Sequence, residues 1–175
     1  LVGSEMCIRD RRRAMAQVPQ ESYLFPGTVA DNIAYGTAGA SNAEVQAAVE
    51  RIGALGVIGT IPGGFNARVG ERGRGLSSGQ RQIIALARAE MLTPAVLLLD
   101  EATATLDPAT ERAVLDASDR AMEGRTSVVV AHRLATAARA DRILVIDEGR
   151  IIEDGCHEDL ISAGGRYAHM RAVNR

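Results

Sequence analysis

The stretch that most limits what this chain can fold into runs from Leu76 to Asp107, LSSGQRQIIALARAEMLTPAVLLLDEATATLD. It opens on a glycine-containing turn, Leu76-Ser77-Ser78-Gly79-Gln80. A helical run follows in which Ile83, Ile84, Leu86 and Ala87 keep one face apolar. Pro94 closes that helix, because proline lacks a backbone N–H and disfavours helix at the residue before it. An uncharged run, Ala95 to Leu99, then ends in two adjacent carboxylates, Asp100 and Glu101. A short apolar run bounded by proline and charge reads as a fully buried parallel strand. Ligands of open α/β sheets sit at the carboxyl ends of such strands. Delivering two acids there is costly unless a cation or a proton partner waits for them.

The order of turn, helix, VLLLDE strand and ATATLD run resembles the signature motif, Walker B motif and D-loop of the ABC-type ATPases. The resemblance extends from about Met15 to the C-terminus and is closest to the exporter-type branch. It implies a P-loop NTPase-type α/β fold: a mostly parallel sheet flanked by helices, with a small α-helical subdomain and the N-terminal part of the fold missing. The implied boundaries are a non-native tail over 1–12 and a partial ATPase domain over 13–175. Within that domain, about 21–92 carries the Q-loop, helical subdomain and signature helix. Residues 93–175 carry the Walker B, D-loop and H-loop parts.

Composition excludes several other classes. The 20 basic and 22 acidic residues nearly cancel, so no nucleic-acid or membrane-surface partner is expected. All 20 basic residues are arginine. Cys7 and Cys156 lie near opposite ends without metal-ligand spacing, and read as reduced thiols rather than as a disulfide or a metal site. No uncharged apolar run approaches the roughly 20 residues of a membrane-spanning helix. Ile52 to Ala67 is uncharged but broken by glycines and Pro62. No apolar core of a signal peptide follows the first residues.

Leu1 to about Arg12 carries charge without periodicity and resembles a tail that recurs at the broken ends of metagenomic gene assemblies. Met15 to Pro19 has a short strand pattern that leads into Gln20. In the ABC family the glutamine after such a strand is the Q-loop residue. A neutral amide there can reach magnesium or the attacking water through its carbonyl and rearrange without a change of charge. Taken alone, Gln20 reads as a solvated loop residue; the downstream motifs favour the Q-loop. Gly27-Thr28-Val29 turns into a helix containing Asn32 and Ile33. Ser41 to Ala54 reads as a second helix, with Ser41 and Glu44 at capping-box spacing and Val45, Ala48, Val49 and Ile52 on its apolar face. These two helices correspond to the subdomain that docks on membrane-domain coupling helices in the family; without the resemblance they are a packed helix pair. Val69-Gly70-Glu71-Arg72-Gly73 is similar to a loop that lies before the signature in exporter-type ATPases, although Ala67 and Arg68 depart from its first positions.

In the signature, small residues let the backbone approach a phosphate, and a helix start supplies unpaired N–H groups and a favourable dipole. Ser77 adds a hydroxyl donor, and Ser78 replaces the family's usual glycine, a change tolerated if its φ stays negative. The resemblance implies that Ser77, Ser78, Gly79 and Gln80 bind nucleotide, together with Asp107 of the D-loop. It implies that Asp100 reaches a magnesium ion through water, with Gln20 as a further indirect partner, and that Glu101 is the general base. Ala104 and Thr105 depart from the usual D-loop residues. Asp107 before Pro108 is also a good helix start in its own right. Thr126 to Val130 reads as another buried strand, ending at His132. His132-Arg133-Leu134-Ala135-Thr136 resembles the exporter H-loop, in which the imidazole senses a terminal phosphate. His157 and His169 have no such context and are expected at the surface or as caps. Ile143 to Ile152 reads as a hairpin with Gly149 in its turn, followed by two short helices with Gly164-Gly165 between them.

The family's phosphate-binding P-loop, GxxxxGK[ST], has no match in this lysine-free sequence. The expectation is therefore a fragment of the ATP-hydrolysing domain of an ABC exporter, using ATP and Mg2+ and inactive alone. Its implied partners are a second ABC ATPase domain, as homodimer or heterodimer, and a transmembrane permease domain, fused or separate. The implied location is the cytoplasmic face of a bacterial inner membrane. The alternatives are a soluble ABC ATPase of DNA repair or translation, or a non-catalytic dimerisation remnant.

Overall fold

The computed structural model describes residues 14–100, 106–131 and 133–173. The chain divides into two compact units, Leu1–Val128 and Val129–Arg175.

The first unit is built on a three-stranded sheet of order β1-β4-β5. These strands are β1 (Met15–Val18), β4 (Val96–Asp100) and β5 (Thr126–Val130), the last crossing the boundary between the units. β1 and β4 run parallel, with Val18 opposite Leu99. β2 (Gly27–Thr28) and β3 (Arg68–Val69) form a small antiparallel pair that ties the two ends of the helical region together. That region holds α1 (Val29–Ile33), α2 (Asn42–Arg51) and α3 (Leu55–Gly59). Then come the long helix α4 (Ser78–Met91) and α5 (Pro108–Met122).

Local chemistry sets these boundaries. Thr28 and Asp31 cap α1 reciprocally, as Ser41 and Glu44 cap α2. α2 buries Val45, Ala48 and Val49, and Ile52 is buried at its end, as its spacing predicts. α4 buries Ile83, Ile84, Leu86 and Ala87 at full depth, also as predicted. It ends at Leu92, after which Thr93 takes a left-handed φ of 44° immediately before Pro94. Val18, Leu24, Ile33, Val49, Ile84 and Leu97 are among the fully buried side chains of this core.

Two strand expectations are corrected. β4 is parallel as expected but not fully buried: Leu97 and Leu99 are buried, whereas Val96 and Leu98 are only half-buried. β5 is not a buried strand, since Val128 is 52% and Val130 55% exposed. β5 ends the strand order, and the covering layers that make parallel strands wholly apolar are incomplete around it. Both strands have the apolar character that two-sided burial requires, but the alternate residues of β4 are half-buried and those of β5 are half-buried or exposed.

The second unit contains α6 (Leu134–Ala137), a hairpin of β6 (Ile143–Asp147) and β7 (Arg150–Gly155), and helices α7 (His157–Ser162) and α8 (Arg166–Val173). The hairpin turns through Glu148 at φ 46° and Gly149 at φ 74°, the two positive φ values of a tight two-residue connection. Ile143, Leu160 and Tyr167 form its core. The Glu153 carboxylate accepts from the backbone N–H groups of Arg166 and Tyr167, both at 2.8 Å, and so caps α8 from the neighbouring strand. His169 is exposed, as expected. His157, the first residue of α7, is half-buried and its Nδ1 lies 2.8 Å from the Tyr167 hydroxyl. Cys156 is a free thiol, and among the described residues no group of three or more histidine, cysteine or carboxylate side chains could hold a metal. Among the same residues no helix is long and apolar enough to cross a membrane.

Candidate functional site

The turn before α4 is locked by a reciprocal cap. The Gln80 N–H donates to Ser77 Oγ at 3.2 Å, and the Ser77 N–H donates to Gln80 Oε1 at 2.9 Å. Because Ser77 Oγ accepts that bond, its own proton remains to be donated outward. Arg81 N–H bonds back to the Ser77 carbonyl, which leaves the N–H groups of Ser78 and Gly79 as donors the helix itself does not use. Ser78 is absent from the residues with positive φ, so the serine in place of glycine sits without strain. Ser77 is therefore the N-cap of α4, and its hydroxyl still has a proton to donate.

Gly79 is buried, and a Cβ on it would overlap Thr110 Cγ2 in the first turn of α5. The absence of a side chain at this position thus serves helix–helix approach as well as any ligand. Thr110 also serves the opposite end of the contact. Asp107 caps α5, accepting from Ala109 N–H at 3.2 Å and Thr110 N–H at 3.1 Å. Hydrogen bonds from the Thr110 side chain and backbone hold the Asp107 carboxyl below its ordinary range.

The loop before the signature is equally fixed. Arg72 adopts a left-handed φ of 57°, uncommon for a residue with a side chain, and Gly73 follows at φ 77°. Arg81 packs over Gly73 and donates to the Leu76 carbonyl at 2.7 Å. The Gly70–Gly73 loop and the signature turn are therefore one packed piece.

The parallel pairing of β1 and β4 brings two further candidates to one sheet edge. Val18 pairs with Leu99, so Asp100 ends β4 as the chain leaves β1 toward Gln20. Gln20 is exposed. A carboxylate and an amide carbonyl emerging together suit a magnesium ion that keeps most of its water and takes the remaining ligands from phosphate. The donor set at Ser77, Ser78 and Gly79, with one free hydroxyl proton and two free amides, suits a phosphate oxygen. Glu101 and His132, the expected base and sensor, lie outside the described residues, as do Ala102 to Thr105.

Sequence reading passed over two clusters that position these groups. Asn32, 2% exposed, clamps the segment after Gln20: its Oδ1 accepts from Phe25 N–H at 2.8 Å, and its Nδ2 donates to the Phe25 and Thr28 carbonyls. Arg88 of α4 donates to the Asn32 carbonyl at 2.8 Å and lies 5.9 Å from the Phe25 ring and 5.4 Å from the Tyr35 ring. The second cluster is Glu90, buried on α4 between Arg51 at 2.7 Å and Arg125 at 2.9 Å. A glutamate seven residues beyond Ile83, on the apolar face, was the available signal for this second cluster.

A parallel strand pair, a capped helix and a helical region tied back by β2 and β3 make an α/β fold. A family model described as "ABC transporter" matches residues 3–104, more than half of the chain, and the chain belongs to that family. The matched span starts inside the segment 1–12. An ATP-dependent lipid A-core flippase of Pseudomonas putida is 47% identical over 167 residues, 95% of this chain and 28% of the flippase. A multidrug efflux ATP-binding/permease protein of Mycobacterium bovis is 46% identical over 163 residues, 93% of this chain and 14% of that protein. Among solved structures, a bacterial Atm1-family ABC exporter with ATP bound superposes with a TM-score of 0.83 at 45% identity, covering 93% of this chain and 28% of that one. The chain thus spans 28% of the flippase and of the exporter structure and 14% of the efflux protein.

Proposed function

We propose that this chain is the signature, Walker B and H-loop part of the ATP-hydrolysing domain of an ABC exporter. The observation that carries this reading is the signature turn: Ser77 keeps a free hydroxyl proton, beside the two unused amides of Ser78 and Gly79, at the start of a 14-residue helix. Such a turn closes on the terminal phosphate of ATP bound to the P-loop of a second ATPase domain, so Ser77 to Gln80 act across the dimer. Asp100 and Gln20 would hold a magnesium ion through water, Glu101 would orient the attacking water, and His132 would contact the terminal phosphate. Asp107 braces the signature of its own chain through Thr110. Magnesium, when bound, neutralises charge on the phosphate oxygens.

The exporter assignment rests on the similarity to a flippase, to a multidrug efflux ATP-binding/permease protein and to an Atm1-family ABC exporter. A permease domain, fused or separate, is the second partner, and it docks on the helical region, where Tyr23 and Tyr35 are exposed beside Arg88. The working location is the cytoplasmic face of a bacterial inner membrane.

Charge-assisted hydrogen bonds contribute about 1.5–3 kcal/mol each, and about 1.4 kcal/mol is tenfold in affinity. Without the several such bonds of a P-loop, the chain by itself does not turn over ATP. The test is Mg-ATP hydrolysis by the chain alone and by the chain joined to the P-loop half of a relative. We expect turnover only in the joined protein, abolished by Glu101→Gln. Turnover by the chain alone that Glu101→Gln removes would overturn the inactivity claim. A folded joined protein without turnover would overturn the ATPase reading.

A further inference from the structure

We infer that Thr60 is a positioning residue for the signature turn, acting through Gln80; this rests on the nucleotide reading of Ser77 to Gly79. Thr60 stands just past α3, twenty residues before Gln80, and its side chain is exposed. Its hydroxyl donates to the Val57 carbonyl at 2.7 Å, which turns a lone pair toward α4. That lone pair accepts Gln80 Nε2 at 3.2 Å. The other end of the same amide, Oε1, accepts the Ser77 N–H. A flip of the Gln80 amide would set Nε2 against the Ser77 N–H and oblige the Thr60 hydroxyl to leave the Val57 carbonyl in order to bond the amide oxygen.

The consequence falls on Ser77. Its N–H is held by the Gln80 side-chain Oε1 and its Oγ by the Gln80 backbone N–H, so the Ser77 backbone, which carries the hydroxyl, is placed by where the Gln80 side chain is held. Gln80 is consequently a brace for the phosphate-facing donors, and Thr60 fixes that brace to α3. A surface hydrogen bond of this kind contributes little to folding, but it narrows the orientations of a donor whose direction decides binding.

The test uses the chain joined to the P-loop half of a relative, with Thr60→Val removing the hydroxyl at constant shape and Thr60→Ser retaining it. Two readouts are followed by NMR: hydrogen exchange of the Gln80 side-chain amide, and the response of the Ser77, Ser78 and Gly79 amides to Mg-ATP, with Mg-ADP as the control. In Thr60→Val we expect faster Gln80 exchange and a two- to tenfold weaker response to Mg-ATP at an unchanged melting temperature. In Thr60→Ser we expect both readouts to return to wild type. Wild-type exchange and response in Thr60→Val overturn the role of Thr60 and leave the nucleotide reading standing. A wild-type joined protein whose signature amides ignore Mg-ATP overturns the nucleotide reading, and the role of Thr60 with it.

Discussion

Gly79 and Thr110 touch so closely that the Thr110 Cγ2 methyl fills the space a Cβ on Gly79 would need. The start of α4 and the start of α5 are thereby pressed together, with the signature on one side and Asp107 on the other. Gly79→Ala gains some helix propensity but overpacks this contact. A net loss of about 1–2 kcal/mol is expected by urea denaturation. Thr110→Ser, which removes the methyl and retains the hydroxyl, should restore most of it in the double variant. A Gly79→Ala variant of wild-type stability would show that α5 can retreat without cost.

Glu90 is expected to be the most sensitive polar position of the first unit. Its carboxylate is buried and serves Arg51 and Arg125, whose side chains are 51% and 17% exposed. Substitution by leucine strands the less exposed Arg125 and should cost about 3 kcal/mol, near the lower end for breaking a buried pair because Arg51 can turn to water. Arg51→Ala should cost far less than Arg125→Ala. Equal losses for the two arginines in denaturant titrations would contradict this ordering.

Thr93 carries a β-branched side chain at φ 44°, where glycine or asparagine is normally found. Thr93→Gly should therefore stabilise the chain by roughly 0.5–1 kcal/mol, the relief of left-handed strain exceeding the added freedom of the unfolded chain. Thermal melting checks this, and a lower midpoint in Thr93→Gly would show that the threonine side chain holds the helix end.

Acid should weaken three helix starts together. Asp31 and Glu44 are held below their ordinary ranges by hydrogen bonds with Thr28 and Ser41, and Asp107 by those with Thr110. Each carboxylate is more acidic in the folded chain than unfolded. Its contribution is therefore complete above the ordinary carboxylate values of about 4 and is lost as pH falls through the depressed folded values. Stability measured from pH 6 downward should decline through this window. Asp31→Asn, Glu44→Gln and Asp107→Asn, combined, should flatten the decline. An unchanged acid slope in the triple variant would remove the caps as its cause.

Much of this molecule is legible from local pattern. Capping pairs such as Ser41 and Glu44, the apolar face around Ile83 and Ile84, and the turn at Gly149 all act between residues near in sequence. Their periodicity and chemistry sufficed to place α2, α4 and the β6–β7 hairpin. That the Val96 strand is parallel was legible as well, because it is a short apolar run bounded by proline and charge; that β1 is its neighbour was not. The burial of β5 was not, since an apolar strand announces a capacity to be covered and not the layer that covers it.

What the sequence by itself determined is which residues could carry phosphate chemistry: the Ser77 turn, the acid that ends β4 and the amide that follows β1. What only the tertiary structure decided is how those groups are held. Arg88 reaches Asn32 across 56 residues, Arg51 reaches Glu90 across 39 and Thr60 reaches Gln80 across 20. Such contacts leave no periodic trace, because a hydrogen bond depends on the direction of two atoms in space and only chain folding brings those atoms together.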